Sequence, residues 1–489
     1  MTGRSLRTLL LTGACLAAVP AQADTLKDAL TAAYGDNPTL EAARAQQRAT
    51  DETVVIQQAS GLPSVSTSAT YTEYLKQSSS SFISPDRVLS GSGDLSIPIY
   101  SGGAVRNGVK AAKKRIEAGR AGLRGTESSI FAQVVAAYMD VIRTEAVTSL
   151  SANNVEVLRV NLQATSDRFE IGDLTRTDVA QSESRLALAQ GDLRTAQANL
   201  VAARENYVAL VGMAPDNLQP PPPLPGLPAS VDEAVSAALM NNPDLIAARE
   251  RAKASGYDID TAGAGRLPKL ELYTSGSYQN YLGTLGSGFT GGPSPQVSTA
   301  AQAGVRFTLP LFQGGRVAAQ QRQAQANASA ALEQVVSTER SIISQVRSAY
   351  SSWQAAQAII ASTQSAVDAA ALSLEGVRAE NSVGNRTILN ILDAQQELLR
   401  AQVQLVTARR NAYVAGFSLL AAMGRAEARD LGIDDEGALY DPVVNYDRVK
   451  GNIWDWSRDP DPETQSSRTV DIPAQGAEIP AEQQAGLTN

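Results

Sequence analysis

A helical pattern running from Val179 to Leu210 constrains this chain more than any other feature, because it is written twice. Counted in sevens, Val179, Leu186, Leu193, Leu200 and Tyr207 form one seam, and Ser182, Ala189, Ala196, Ala203 and Leu210 form a second. Adding 212 to each number returns Ile391, Leu398, Leu405, Ala412 and Leu419 beside Ala394, Ala401, Ala408, Ala415 and Ala422. A large seam next to a small one lets a helix pack along a neighbour with close backbone approach. A strict seven-residue period also predicts left-handed supercoiling.

Each copy is the returning half of a helical hairpin. The outgoing half runs without a proline from about Ala104 to Phe169, with Val134, Val141, Val155, Leu162 and Phe169 in heptad register. At 1.5 Å per residue such a helix is ~100 Å long. Its repeat carries Val346, Trp353, Ile360, Val367 and Leu374 at the equivalent positions. Gly172-Asp173 ends the first long helix and Gly384 marks the same place in the second, so both hairpin tips fall at glycine. Composition agrees with long, slim helices: 43% of the 489 residues are hydrophobic but only 5% aromatic.

The spacing divides the chain into a leader over 1–23, a first repeat over 24–214, a Pro-rich connector over 215–230, a second repeat over 231–424 and a C-terminal segment over 425–489. The leader has Arg4 and Arg7, an apolar run from Leu9 to Val19 and the small-residue site Ala21-Gln22-Ala23, as in a secretory signal. The competing reading is lipoprotein processing at Cys15, which Thr12 fits poorly. Cleavage after Ala23 leaves a mature chain without cysteine. The C-terminal segment is read as equatorial chain followed, from Asp455, by a polar tail without fixed structure.

Before each long helix the texture changes to alternation. Strands are expected at about 64–74 and 88–100 in the first repeat, and at about 269–281 and 298–312 in the second. Val65, Ala69 and Tyr71 oppose Ser66, Ser68, Thr70 and Thr72; Val305 and Phe307 oppose Gly304 and Arg306. One apolar and one Ser/Thr-rich face suit a lipid-facing and lumen-facing hairpin, although a half-buried hairpin of a soluble domain has the same alternation. Four strands cannot enclose a lumen, and strands in lipid must close to satisfy their backbone groups. A shared barrel of eight strands from two chains or twelve from three follows. On the polar face, Asp94, Glu271 and Arg306 are candidate lumen residues or rim charges.

These residues resemble the TolC family of outer-membrane efflux and secretion channels. The likeness spans about Thr25 to Gly424. It is carried by Ile97-Pro98-Ile99-Tyr100-Ser101-Gly102-Gly103 and its repeat Leu309-Pro310-Leu311-Phe312-Gln313-Gly314-Gly315, and by the turns Ile171-Gly172-Asp173-Leu174 and Val383-Gly384-Asn385-Arg386. The resemblance implies a mainly α, internally duplicated homotrimer with one twelve-stranded barrel in the outer membrane of a Gram-negative cell and a helical tunnel across the periplasm. It implies a periplasmic adaptor (a membrane fusion protein) and an inner-membrane transporter of ABC, RND or MFS type as partners. It makes Pro98, Gly102, Gly103, Pro310, Gly314 and Gly315 strand-end hinges, and Gly172, Asp173, Leu174, Gly384 and Asn385 an adaptor-contact tip.

For the gate, the resemblance implies that Arg386 ties one hairpin to its neighbour through Asp178 and Thr177, while Asn390 and Asp393 point inward at the narrowest place. Relatives can carry aspartate at both of the last two positions; here only Asp393 remains for an acidic ring, whose like charges repel and attract cations. A tyrosine used in the closing network of some relatives is replaced by Asn381. Read without the family, Asp178, Arg386 and Asp393 are solvated charges on helix surfaces.

Other function classes fit poorly. The balance of 42 Lys+Arg against 50 Asp+Glu lacks the basic face that nucleic acid requires. The chain has no histidine, so no His/Cys metal cluster or Ser-His pair can be assembled, and no cofactor is expected. The remaining alternative is a soluble or secreted coiled-coil structural or adaptor protein of the periplasm.

Overall fold

The computed structural model describes residues 24–77, 84–286, 292, 294–433 and 439–479, and the leader expected over 1–23 lies outside them. One path is followed twice. The first pass is α1 (Leu26–Asp36), α2 (Pro38–Ala59), β1 (Ser64–Glu73), β2 (Arg87–Tyr100), α3 (Ala104–Glu170) and α4 (Arg176–Val211). The second is α5 (Val231–Asn241), α6 (Pro243–Gly263), β3 (Lys269–Asn280), β4 (Val297–Thr308), α7 (Arg316–Ser382) and α8 (Ile388–Ala422), and α9 (Pro442–Val449) follows. Helices α3 and α7 have 67 residues each, which makes each ~100 Å long.

Asn37-Pro38 does more than end α1. Asn37 is the N-cap of α2, its Oδ1 accepting from the Thr39 and Leu40 amides, and Pro38 occupies the first helical position, where no N–H is needed. Its Nδ2 donates to the carbonyl of Leu210 in the last turn of α4 at 2.9 Å. Asn242 repeats the arrangement, capping α6 and donating to Ala422 of α8 at 2.9 Å. The shorter helices are thereby stacked end to end beside the long ones. Toward the tips α4 lies along α3 and α8 along α7; toward the sheet α2 and α6 take over.

The small seam of the heptads faces α3 and is buried at Ser182, Ala189 and Ala196. Val179, Leu186 and Leu193 of the large seam are only half-buried in the single chain. Among the described residues the fully buried aromatic side chains collect where the stacked ends meet. Phe131, Tyr138, Tyr207 and Phe417 pack there with Leu30 and Ala33 of α1 and with Leu420, while Ala234, Ala237 and Ala238 of α5 pack on Ile342, Val346 and Met423.

The four strands form one antiparallel sheet in the order β1-β2-β3-β4. The register puts Val65 opposite Leu95, Ile97 opposite Leu272, and Leu272 opposite Val305 on one face. Ser66 opposite Asp94, and Glu271 opposite Arg306, lie on the other. Neither face is covered within the chain: on the apolar face Val65 is 79% exposed and Phe307 63%, and on the polar face Ser66 and Arg306 are exposed. β1 and β4 each keep one unpaired edge among the described residues.

Two expectations need correction. The fourth strand was expected to reach residue 312 but ends at Thr308, and Leu311 and Phe312 beyond it are exposed. β2, by contrast, runs through Pro98 to Tyr100. Pairing with β1 stops at Ser96, so on that side the missing N–H of Pro98 faces no partner, and on the β3 side a bulge between Pro98 and Tyr100 absorbs the irregularity. The tail is the second correction. Residues 455–479 run mostly without regular secondary structure but are fastened to the helices. The Ser467 amide donates to Asp36 at 2.6 Å, the Gln475 amide to Glu205 at 2.9 Å, and Arg204 reaches the carbonyl of Gly476 at 2.7 Å. Polar composition matched a disordered tail, but backbone groups that find fixed charged partners on a helix surface become ordered. Residues 480–489 lie outside the described part.

Candidate functional site at the hairpin tips

Both tips are the same turn. Gly172 and Gly384 each have φ +83°, a backbone conformation cheap only for glycine. In the first tip the Asp173 amide donates to the Arg168 carbonyl and the Gly172 amide to Phe169; in the second, Asn385 donates to Glu380 and Gly384 to Asn381. This paired pattern is the Schellman motif, which satisfies carbonyls that a helix end leaves open. A Cβ at either glycine would meet nothing within 4 Å, so the tips are open surface.

The chain leaves each tip through a capping box. Thr175 and Asp178 cap α4 reciprocally, and the hydroxyl and amide of Thr175 hold the Asp178 carboxyl below its ordinary range. Thr387 and Asn390 do the same for α8, with an uncharged amide in place of the carboxylate. The side chains of Asp178 and Asn390 are therefore engaged in ending their own turns.

Within one chain, Arg386 does not reach Asp178 or Thr177. It pairs with Glu380 of its own tip at 2.6 Å, and Asn381 donates to the Arg386 carbonyl at 2.6 Å. The first tip has the mirrored arrangement, Arg168 pairing with Asp173 at 2.6 Å. Arg168 and Glu380 are repeat equivalents of opposite charge. Asn381, noted for lacking a phenol, stitches the turn by another bond.

Asp393 has a partner on the neighbouring hairpin. Arg185 of α4 donates to its Oδ1 at 2.7 Å and also to Gln396. Beside this pair Leu158, Ala189 and Leu392 are buried together, with Val155, Leu186 and Ile388 packed on them. The gate candidates thus gather where two neighbouring helices begin: Thr177 and Asp178 in the first turn of α4, Arg386 in the turn that precedes α8, and Asn390 and Asp393 within the first two turns of α8. Arg185, Arg168 and Glu380 are the site residues that sequence reasoning passed over. Arg185 sits immediately before Leu186 of the large seam, the flank where coiled coils place interhelical charges, and that position was the available signal.

At the sheet end Gly102 and Gly103 have φ +64° and +84°, and Gly314 and Gly315 +60° and +80°; Gly103 and Gly315 are the N-caps of α3 and α7. Only at Gly102 would a Cβ also collide, with Leu267 Cβ at 2.8 Å and the Ala264 carbonyl at 2.9 Å. The register brings the three polar-face candidates near one another. Glu271 lies 3.6 Å from Arg306 and accepts from Ser96, Arg306 stacks 4.7 Å from the Tyr273 ring, and Asp94 borders the same depression. Among the described residues no three His, Cys, Asp or Glu side chains are grouped to hold a metal, and no helix is long and apolar enough to cross a membrane.

A family model described as "Outer membrane efflux protein" matches residues 29–213 and 234–425. The chain is 33% identical to the outer membrane efflux protein BepC of Brucella suis over 455 residues, 93% of this chain and 96% of that one. To the outer membrane protein TolC of Escherichia coli it is 30% identical over 328 residues, 65% of each chain. Among solved structures, the CmeC outer membrane channel of Campylobacter jejuni superposes with a TM-score of 0.72 at 17% identity, covering 87% of this chain and 89% of that one, a likeness of fold.

Proposed function

The chain belongs to the outer membrane efflux protein family, and from that premise we propose that it is the exit duct of a tripartite efflux or type I secretion system. The sheet lies in the outer membrane and the helices in the periplasm. The observation that carries the proposal is the sheet, with unpaired edges on β1 and β4 and a bare apolar face. Three copies joined edge to edge give twelve strands, satisfy every edge and turn Asp94, Glu271 and Arg306 toward the lumen.

The duct is passive. A periplasmic adaptor docks on the open tips around Gly172, Asp173, Leu174, Gly384 and Asn385, and an ABC, RND or MFS transporter in the inner membrane supplies energy and selects cargo. The periplasmic mouth is gated where Thr177, Asp178, Arg386, Asn390 and Asp393 gather. Exposed ion pairs of at most ~1 kcal/mol each suit a latch that a docking partner opens. In this chain the latch begins inside each hairpin, since Arg386 is held by Glu380.

Planar-bilayer recording tests the gate: Arg386→Ser is expected to raise single-channel conductance, and unchanged conductance removes Arg386 from it. Heat-resistant trimers extracted by detergent from the outer-membrane fraction are expected; a detergent-free soluble monomer would overturn the channel reading.

A further inference from the structure

Between α1, α2, α3 and the C-terminal segment lies a pocket of about 500 Å³, apart from both the tips and the sheet. Arg44, Arg120 and Arg124 line it together with Tyr34 and Tyr440. Four donor atoms of these side chains, Arg44 Nη2, Arg120 Nε and Nη2 and Tyr440 Oη, are buried without a hydrogen-bond partner. The Arg44 side chain is only 8% exposed. A buried donor without an acceptor has given up its hydration for nothing, and the loss is larger on a charged group.

Aromatic rings set how these guanidinium groups lie. Arg44 is 4.4 Å from the Tyr34 ring centre and 5.2 Å from that of Tyr440, and Arg120 is 5.2 Å from that of Tyr446. With a face against a ring, a guanidinium donates from its edge. The nearby carboxylates are already engaged. Glu41 takes Arg44 Nη1, and Glu427 pairs with Arg124 at 2.7 Å. Glu127 accepts from the Ala428 amide at 2.6 Å, Asp430 accepts from the Glu427 amide, and Asp441 caps α9.

The duplication supplies an internal comparison. Arg249 of α6 is the repeat equivalent of Arg44, and there both nitrogens are occupied: Nη1 donates to the Leu239 carbonyl at 3.1 Å and Nη2 faces Glu339 at 3.7 Å. The counterpart of Glu339 is Glu127, which turns to Ala428 instead. Arg120 and Arg124 correspond to Leu332 and Val336. The shared architecture therefore does not require this set of arginines, since the second repeat replaces two of them by apolar residues and satisfies the third.

We propose that the pocket binds a doubly charged oxyanion of the phosphate class, free or as a phosphomonoester. Guanidinium edges pair with phosphate oxygens two at a time, and the Tyr440 hydroxyl adds a further donor. Leu40, Leu123 and Leu439 in the wall suit an organic group carrying the phosphate. A dianion held there joins α2, α3 and the C-terminal chain. The pocket is built within one subunit, so the proposal stands apart from the channel reading.

The test is calorimetric titration of the protein in detergent, in phosphate-free buffer of constant ionic strength, with inorganic phosphate and separately with glycerol 3-phosphate. Saturable binding at one site per subunit is expected. Tighter binding of the ester assigns the pocket to an organic phosphate, and tighter binding of the free anion assigns it to phosphate itself. Arg120→Gln is expected to weaken binding about tenfold through loss of a charged two-point contact. Tyr440→Phe, which removes only a hydroxyl, is expected to weaken it several-fold. Phosphate is also expected to slow amide exchange over residues 439–449 in the native protein and not in Arg120→Gln. Absence of saturable binding by either probe at millimolar concentration overturns the proposal, as does native affinity in both variants.

Discussion

Asn37 joins two helices through one side chain: its Oδ1 caps α2, and its Nδ2 donates to the Leu210 carbonyl at the end of α4. The repeat preserves the bond between Asn242 and Ala422. A subunit can thus present an almost continuous second helix beside each 67-residue one, although the chain passes that level several times.

Asn37→Ala removes both functions. The lost cap and the unsatisfied carbonyl are expected to cost about 1–3 kcal/mol. Asn37→Asp keeps an acceptor for the cap but has no donor for Leu210, so it is expected to fall between. Hydrogen exchange of the last turn of α4 reads the loss directly. Equal protection in all three proteins would show that the stacking does not depend on this bond.

Gly102 and Gly314 occupy the same place in the two strand-end motifs, and both need positive φ. Alanine at either pays about 1–2 kcal/mol for the left-handed backbone. At Gly102 it also meets Leu267 and the Ala264 carbonyl below 3.0 Å, whereas Gly314 faces open space. Gly102→Ala is expected to reduce heat-resistant oligomer much more than Gly314→Ala, as scored on semi-native gels.

Acid is expected to loosen the two tips unequally. Asp178 is held below the ordinary carboxylate range by its bonds to Thr175, so its cap stabilises α4 above the unfolded value near 3.8 and is lost as pH falls through the lower folded value. Asn390 at the equivalent cap does not titrate. Amide exchange at the start of α4, relative to the start of α8, should rise only at the acid end, and Asp178→Asn should abolish the difference.

Charges on the polar face of the sheet balance across strands, Glu271 against Arg306. Glu271→Gln leaves three unpaired guanidinium groups in a trimeric lumen and is expected to shift the reversal potential in a KCl gradient toward anion preference. Arg306→Gln is expected to shift it toward cations. Identical reversal potentials for both variants would place these residues away from the conducting path.

Much of the architecture was legible because it is periodic. Two heptad seams, alternating strands and glycines 212 residues apart specify which elements exist and where they turn, since helical and strand periods are local properties of the chain. The ends were less legible. β4 stops at Thr308 because β3, its partner, begins at Lys269, and the hydrophobic residues Leu309 and Leu311 continue an alternation that has nothing left to pair with. The tip charges show the same limit. Arg386 and Asp393 were recognised as important, yet their partners Glu380 and Arg185 depend on how a turn and two helices orient long side chains in space.

Sequence alone determined the duplication, the helix lengths, the glycine turns and the two-faced strands, because each follows from spacing along the backbone. Only the tertiary structure decided that Asn37 and Asn242 splice helices together, that residues 455–479 are fastened to α1 and α4, and that Arg185 claims Asp393. Those contacts join residues up to 431 positions apart, and no local period encodes which side chains the folded chain brings within bonding distance.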